Sequence, residues 1–143
     1  MIECAYPDLC VSGEADLRAR ERAHGRPLAS ATLAGVHPAG VAVHRPDLVL
    51  WPCSPLIGLP VAIEVELTVK APMRLRAICD AWGRARCVSG VIYLVSPQAS
   101  EPVARAIEGS RAQRRIALVA VSSFVEGGNV LGLPHERTVA VGA

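Results

Sequence analysis

The sequence predicts an α/β fold in which helices flank a mixed β-sheet. Residues 61–69 alternate between apolar and polar side chains, the period of two that is typical of a strand. A nearly continuous apolar run at 90–96 indicates a buried central strand, and 115–121 predicts a further strand. Helical patterns lie between these segments, so we expect a strand meander followed by crossover connections.

Length and composition are those of a single domain spanning residues 1–143. Apolar residues make up 51% of the chain but only five residues are aromatic, so the core must be built from Val, Leu, Ile and Ala. The net charge of +2 permits nucleic-acid binding without requiring it, because local clustering of charge matters more than the sum.

The first half of the chain predicts one helix and two or three strands. Residues 13–25 carry acids early, arginines later and a glycine at the stop position, which is typical of a helix. Two prolines and two glycines predict an irregular connection at 26–40. A strand pattern at 41–51, interrupted by Pro46, precedes a proline-containing loop and the strand at 61–69.

The second half of the chain predicts alternating helices and strands. Residues 71–88 form a helix opened by Ala71-Pro72, since proline is tolerated in a first turn. A helix at about 99–113 separates the two later strands, and Gly127-Gly128-Asn129 signals a loop or hairpin in the tail. The predicted order is therefore αβββαβ with an added αβ.

Three carboxylates stand out on the meander. Asp47 follows a proline at a break in the strand pattern, while Glu64 and Glu66 share one side of the next strand, about 6–7 Å apart. If the two strands pair antiparallel, Asp47 approaches Glu64 across the ladder. Such acids suit Mg²⁺, which can activate water and polarise a phosphodiester. The alternative is that they are solvated strand residues that balance nearby arginines.

The pattern Pro46-Asp47 followed by Glu64-Val65-Glu66, in this order of elements, resembles the PD-(D/E)xK nuclease superfamily, which has the restriction-endonuclease-like fold. The wider stretch 44–82 is similar to actinobacterial replication-relaxation-type proteins of plasmids and mobile elements. The resemblance covers roughly residues 13–121. It implies a DNA endonuclease-like protein that hydrolyses phosphodiester bonds with Mg²⁺ or Mn²⁺.

The resemblance assigns roles to individual residues. Asp47 and Glu64 match the metal-binding acids, and Glu14 matches an extra acid that many members carry. Glu66 stands where the superfamily most often has its catalytic lysine, although a minority of restriction enzymes keep a glutamate there and remain active. Lys70, the only lysine of the chain, is either that lysine displaced or a solvated residue at a strand end. It can return to the site only if the chain turns at Thr68 or Val69.

Arginine supplies the other fourteen basic residues. Those expected to contact DNA phosphates are Arg45, Arg74, Arg76 and Arg84, with Arg18, Arg20 and Arg22 on the first helix as further candidates. The alternative is that arginine only provides solubility. His44 adjoins the site, where we expect a structural role rather than contact with a phosphate.

Two functions follow from the sequence. The first is a Mg²⁺-dependent DNA nuclease linked to plasmid or mobile-element replication, in which a homodimer would suit double-strand cleavage. The second is a catalytically inactive module of the same fold that binds DNA or dimerises in replication control, supported by the glutamate at position 66. The winged-helix part that replication-relaxation proteins usually carry is not expected here.

Cysteine usage and hydropathy predict a cytoplasmic protein. The five cysteines form no Cys-x-x-Cys and no zinc spacing with histidine, so they are expected to be thiols in a reducing compartment. No apolar stretch approaches the ~20 residues needed to span a bilayer.

Overall fold

The protein is described here from a computed structural model that covers residues 9–35, 41–53 and 58–126. Its elements, in chain order, are β1 (Leu9–Gly13), α1 (Glu14–His24), β2 (Ala31–Thr32), β3 (Val43–His44), β4 (Leu48–Pro52), β5 (Val61–Glu66), α2 (Pro72–Arg84), β6 (Gly90–Val95), α3 (Pro97–Gly109), β7 (Ile116–Ala120) and α4 (Val121–Glu126). The predicted glycine and hairpin signal at 127–129 lies outside the described residues.

Five strands form one mixed sheet in the order β1-β4-β5-β6-β7. The strand pairs β1–β4 and β4–β5 are antiparallel, whereas β5–β6 and β6–β7 are parallel. Each parallel pair is joined through a helix, α2 and then α3, as parallel strands require long crossover connections. The predicted α/β class, with a mixed sheet flanked by helices, is confirmed.

The first part of the meander differs from the prediction. A strand that the sequence did not predict, β1, precedes α1 and occupies the sheet edge beside β4. Val43–His44 is not part of the same strand as β4. It pairs with Ala31–Thr32 in a separate two-stranded sheet. Part of the segment predicted to be an irregular connection is therefore a short strand.

The strand β5 ends at Glu66, three residues earlier than the alternation predicted. Leu67 and Val69 continue the pattern in sequence but are 52% and 58% exposed, so the alternation does not reflect burial there. The helices match more closely. α1 ends at Gly25, whose φ of +66° is the left-handed conformation that glycine adopts readily.

The apolar core is divided between the two faces of the sheet. On one face, helices α1, α2 and α3 bury a large cluster that includes Leu17, Ala62, Trp82 and Val103. On the other face, a smaller cluster around Leu50, Ile63, Ile92 and Leu94 packs with Val121 of α4. Because alternate strand residues share a face, Glu64 and Glu66 lie on the helix-covered face with Ala62. Both glutamates are 3% exposed.

Candidate active site

Asp47 and Glu64 are brought together by the register of β4 and β5. The ladder pairs Leu50 with Val61, Val49 with Ala62 and Leu48 with Ile63, and one further step of this register sets Asp47 opposite Glu64. Asp47 Oδ2 accepts a hydrogen bond of 2.7 Å from the Val65 amide, which ties the start of β4 to β5. The antiparallel pairing on which the predicted approach of these two acids depended is thus present.

Glu64 is held by two side chains. Its Oε1 accepts a hydrogen bond of 2.9 Å from Trp82 Nε1, which can only donate. His44 Nε2 lies 2.6 Å from the same oxygen, and because a carboxylate accepts, the imidazole donates through this nitrogen. The two rings meet edge to face with their centroids 5.9 Å apart. Glu64 therefore has a fixed carboxylate orientation beneath the surface.

Lys70 returns towards the acids from beyond the strand. The chain bends at Thr68, and Lys70 Nζ lies 2.5 Å from Oε2 of the buried Glu66. That oxygen accepts no hydrogen bond of regular geometry within the described part of the chain, so charge attraction is its link to Lys70. The turn that the displaced-lysine hypothesis required is present, and the Lys70 side chain is 35% exposed.

Asp47, Glu64 and Lys70 line one cavity of about 310 Å³. Nine residues line it: Glu14, Arg18, Val43, His44, Arg45, Asp47, Glu64, Lys70 and Arg74. The lining combines three acids, four cations and one imidazole. They come from α1, β3, the β3–β4 connection, β5, the β5–α2 connection and the start of α2. Residues far apart in sequence thus form one polar site.

The structure separates two of the predicted DNA-contacting arginines from this cavity. Arg76 pairs with Asp80 at 3.3 Å and lies between α2 and α3, and Arg84 donates to the Thr32 carbonyl at 3.4 Å. Arg45 and Arg74 do line the cavity, as does Arg18, which pairs with Glu14 one helical turn away. Glu66 does not line the cavity, and its carboxylate forms an ion pair with Lys70.

A second groove continues the basic surface along α1. It has a volume of about 530 Å³ and shares Arg18, Val43 and Arg45 with the cavity. Arg22 and Arg26 add two further guanidinium groups to it. An anionic chain bound at the cavity would therefore meet cations on the adjoining surface.

Glu21 positions Arg45 between these two sites. It is 6% exposed, and its Oε1 accepts hydrogen bonds from Ser30 Oγ at 2.6 Å and the Leu28 amide at 2.9 Å. Its Oε2 accepts from Arg45 Nε at 3.0 Å. Burial alone would raise the pKa of Glu21, but the Ser30 and backbone hydrogen bonds and the Arg45 charge outweigh it and hold this pKa below its usual range.

Glu21→Gln is expected to lower the free energy of unfolding by roughly 1–3 kcal/mol near neutral pH, because charged hydrogen bonds are replaced by weaker neutral ones. The folded-state pKa of Glu21 is depressed, so this stabilisation is present above the unfolded-state pKa and is lost as the pH falls through the folded value. Urea unfolding at a series of pH values should show the gap between parent and variant closing in acid.

Glu14→Gln is the matched control for that experiment, because Glu14 lies on the same helix and its pair with Arg18 is half exposed. It should change stability by no more than ~0.5 kcal/mol. A gap for Glu21→Gln that stays constant down to acid pH would contradict the role given to the ionised carboxylate.

Two buried groups beside Glu64 are excluded from nucleophilic chemistry. Burial raises the pKa of the Cys79 thiol to about 11, despite a hydrogen bond with Tyr93. Burial also raises the pKa of Tyr93, and the neighbouring Glu64 carboxylate adds to that effect. Both side chains therefore remain protonated at neutral pH and serve as packing beneath the site.

Few acids of the described residues are placed where they could hold a metal ion at this cavity. Within residues 9–35, 41–53 and 58–126, no group of three or more His, Cys, Asp and Glu side chains is arranged to hold a metal ion. The cavity does present the carboxylates of Asp47 and Glu64. Mg²⁺ is commonly held by one or two carboxylates while it keeps several waters. The donor chemistry therefore fits a hydrated Mg²⁺ or Mn²⁺ on two acids, and not an ion enclosed by protein ligands.

Sequence reasoning underestimated two residues of the site. Trp82 belongs to the apolar stripe of the helix predicted at 71–88, which indicates a place in the core; it is fully buried, and it also donates to Glu64. His44 faces the same oxygen, so its structural role is to hold a site carboxylate. The helical spacing of Trp82 signalled its burial, but no sequence pattern indicates the partner of an indole N–H.

The chain matches no family model, no curated protein and no solved structure. In the part of the chain that the structure describes, no helix is both long and apolar enough to cross a membrane.

Proposed function

We propose that this protein is a metal-dependent nuclease that hydrolyses phosphodiester bonds in DNA. The observation that carries the proposal is the convergence of Asp47, Glu64 and Lys70 on one cavity, with Glu14 contributed by α1. Two acids and a cation around a polar cavity suit the binding of a phosphodiester, with the acids facing a divalent ion and the cation facing a phosphate oxygen.

The sheet supports a restriction-endonuclease-like core. The antiparallel β4–β5 pair, followed by α2 and the parallel strand β6, corresponds to the later part of the αβββαβ order. The first strand of the meander is replaced by β1, which comes before α1 instead of after it. The proposed link to plasmid or mobile-element replication depends on the sequence resemblance over residues 44–82.

Each residue of the cavity has a distinct role in this proposal. Asp47 and Glu64 would hold the divalent ion, which when bound supplies an activated water and neutralises charge on the phosphate. His44 and Trp82 orient the Glu64 carboxylate. Lys70 Nζ, held by Glu66, places a positive charge beside the cavity, where it offsets charge that develops on the phosphate oxygens. Arg18, Arg45 and Arg74 bind the flanking backbone phosphates.

The second candidate function is a DNA-binding module without catalysis. It is favoured by one observation, that Glu66 stands at the position of the usual lysine and forms a buried ion pair instead of facing the cavity. In this case the arginines of the cavity and groove would still bind a phosphate backbone, with an affinity that falls as salt is raised.

Incubation of the purified protein with supercoiled plasmid and Mg²⁺ or Mn²⁺ tests the proposal. We expect nicked or linear products that disappear with a chelator. Asp47→Asn keeps the acceptor for the Val65 amide but removes the charge, so it should fold normally and lose cleavage by more than the ~10–100-fold typical of residues that only support a metal ligand.

Asp80→Asn is the matched control, because Asp80 pairs with Arg76 away from the cavity. Equal cleavage by Asp47→Asn and Asp80→Asn would overturn the assignment of the site. Salt-dependent retention of DNA without any cleavage by the parent would favour the non-catalytic module.

A further inference from the structure

Two cysteines face each other at the sheet edge, away from the candidate active site. Cys10 lies on β1 and Cys53 follows β4 directly. Both are exposed, and their sulfur atoms are 3.5 Å apart. None of the residues that line the cavity at the candidate active site, or the groove that continues from it along α1, is a cysteine.

The strand register places these two thiols on one face of the sheet. Cys10 is opposite Trp51, and Cys53 is two residues beyond Trp51. Side chains two apart in a strand point the same way, so Cys10 and Cys53 are diagonal neighbours across an antiparallel pair. A disulfide needs its sulfurs at about 2.05 Å, so closing the 3.5 Å gap takes a shift of about 1.5 Å.

Accessibility separates this pair from the other described cysteines. Cys79 is buried and Cys87 is half-buried, and burial raises the pKa of both thiols. A soluble oxidant can reach an exposed sulfur, as at Cys10 and Cys53, more readily than a buried one. Cys10 lies on the edge strand β1 and Cys53 directly follows β4, so both lie at the edge of the sheet and not in its centre.

We propose that Cys10 and Cys53 form a reversible disulfide by exchange with a low-molecular-weight disulfide of the glutathione type. One thiol loses its proton and attacks the small disulfide, which releases one small thiolate and leaves a mixed disulfide. The second thiol, also deprotonated, attacks the protein sulfur of that intermediate and releases the second small thiolate. The protein loses two electrons and two protons, and one small disulfide is reduced to two small thiols.

The disulfide would link β1 to the end of β4, and both strands adjoin residues of the candidate active site. It closes the loop from residue 10 to residue 53, within which β1 runs into α1 at Glu14 and Asp47 precedes β4. The oxidised form would therefore hold the edge strand β1 against β4 with a covalent bond. This proposal stands whether or not the cavity cleaves DNA.

Treatment of the full chain with oxidised glutathione, followed by alkylation and non-reducing peptide mapping, tests the proposal. We expect a linked peptide that contains Cys10 and Cys53, formed equally well in Cys4→Ser and reversed by dithiothreitol. Cys10→Ser and Cys53→Ser should instead keep a stable glutathione adduct on the remaining thiol. Linkage of Cys10 to Cys4, or persistent adducts on both Cys10 and Cys53, would overturn it.

Thermal unfolding provides a second readout. Closing a loop of this length should raise the Tm of the oxidised parent by roughly 5–10 °C over the reduced parent. The same treatment should leave the Tm of Cys10→Ser unchanged. A linked peptide without any rise in Tm would contradict the stabilising link between β1 and β4 that the proposal assigns to this bond.

Discussion

Trp82→Ala is expected to lower the free energy of unfolding by about 3–5 kcal/mol, the largest loss of any single substitution considered. The Trp82 side chain is fully buried in the larger core cluster, so its removal leaves a cavity between α2 and the sheet. It also removes the indole donor to Glu64 Oε1, a buried carboxylate oxygen that then keeps only His44. Urea unfolding followed by circular dichroism measures the loss without relying on tryptophan fluorescence.

Two conservative substitutions separate the packing loss from the hydrogen bond. Trp82→Phe keeps most of the ring but loses the N–H to a buried carboxylate, so it should cost ~1.5–3 kcal/mol. Trp51→Phe loses an N–H that donates to the Ser12 hydroxyl at 2.6 Å, a neutral bond worth ~0.5–1.5 kcal/mol. The hydrogen bond to Glu64 would be shown to be unimportant if Trp82→Phe were less destabilising than Trp51→Phe.

The regular elements of the fold could be predicted because local signals and packing agree. Gly25 ends α1 with a positive φ, Pro72 opens α2, and the apolar run at β6 is a central strand with parallel neighbours on both sides. In each case one residue type or one period has a direct backbone or burial consequence.

The edge strand β1 could not be predicted in the same way. Leu-Cys-Val-Ser-Gly is only five residues long and only one of them is buried, so neither alternation nor an apolar run marks it. Its strand conformation comes from pairing with β4, a contact between residues about forty positions apart. The end of β5 was misjudged for a related reason, because the alternation through Val69 continues after the parallel partner β6 has ended its pairing at Glu66.

The acids of the candidate site could be predicted from the sequence, but the side chains that contact them could not. Proximity of Asp47 and Glu64 followed from an assumed antiparallel pair, and the register supplies it. The partners of these acids depend on tertiary packing: Trp82 comes from α2 and His44 from a separate two-stranded sheet. Arg76 and Arg84 share a helix with Arg74, yet only Arg74 lines the cavity. Arg76 lies on another side of the helix, and Arg84 lies ten residues, about 15 Å, further along its axis.

Lys70→Met is expected to lower the free energy of unfolding by about 2–4 kcal/mol. Removing Lys70 Nζ leaves the carboxylate of Glu66, which is 3% exposed, without its cation. Loss of one partner of a buried pair typically costs ~3–5 kcal/mol, and the partial exposure of Lys70 reduces that figure. Arg105→Met, which breaks an exposed pair with Glu101, is the matched control and should cost less than ~1 kcal/mol.

The double variant Glu66→Gln/Lys70→Met decides what the lysine does. Removing both charges should restore most of the stability that Lys70→Met loses, because no buried charge is left unpaired. If Lys70 acts on a phosphate at the cavity, the restored fold should still cleave plasmid far more slowly than the parent. Parental cleavage by the double variant would reduce Lys70 to a counter-ion for Glu66. A double variant as unstable as Lys70→Met would instead show that the lysine stem, and not its charge, supports the turn after β5.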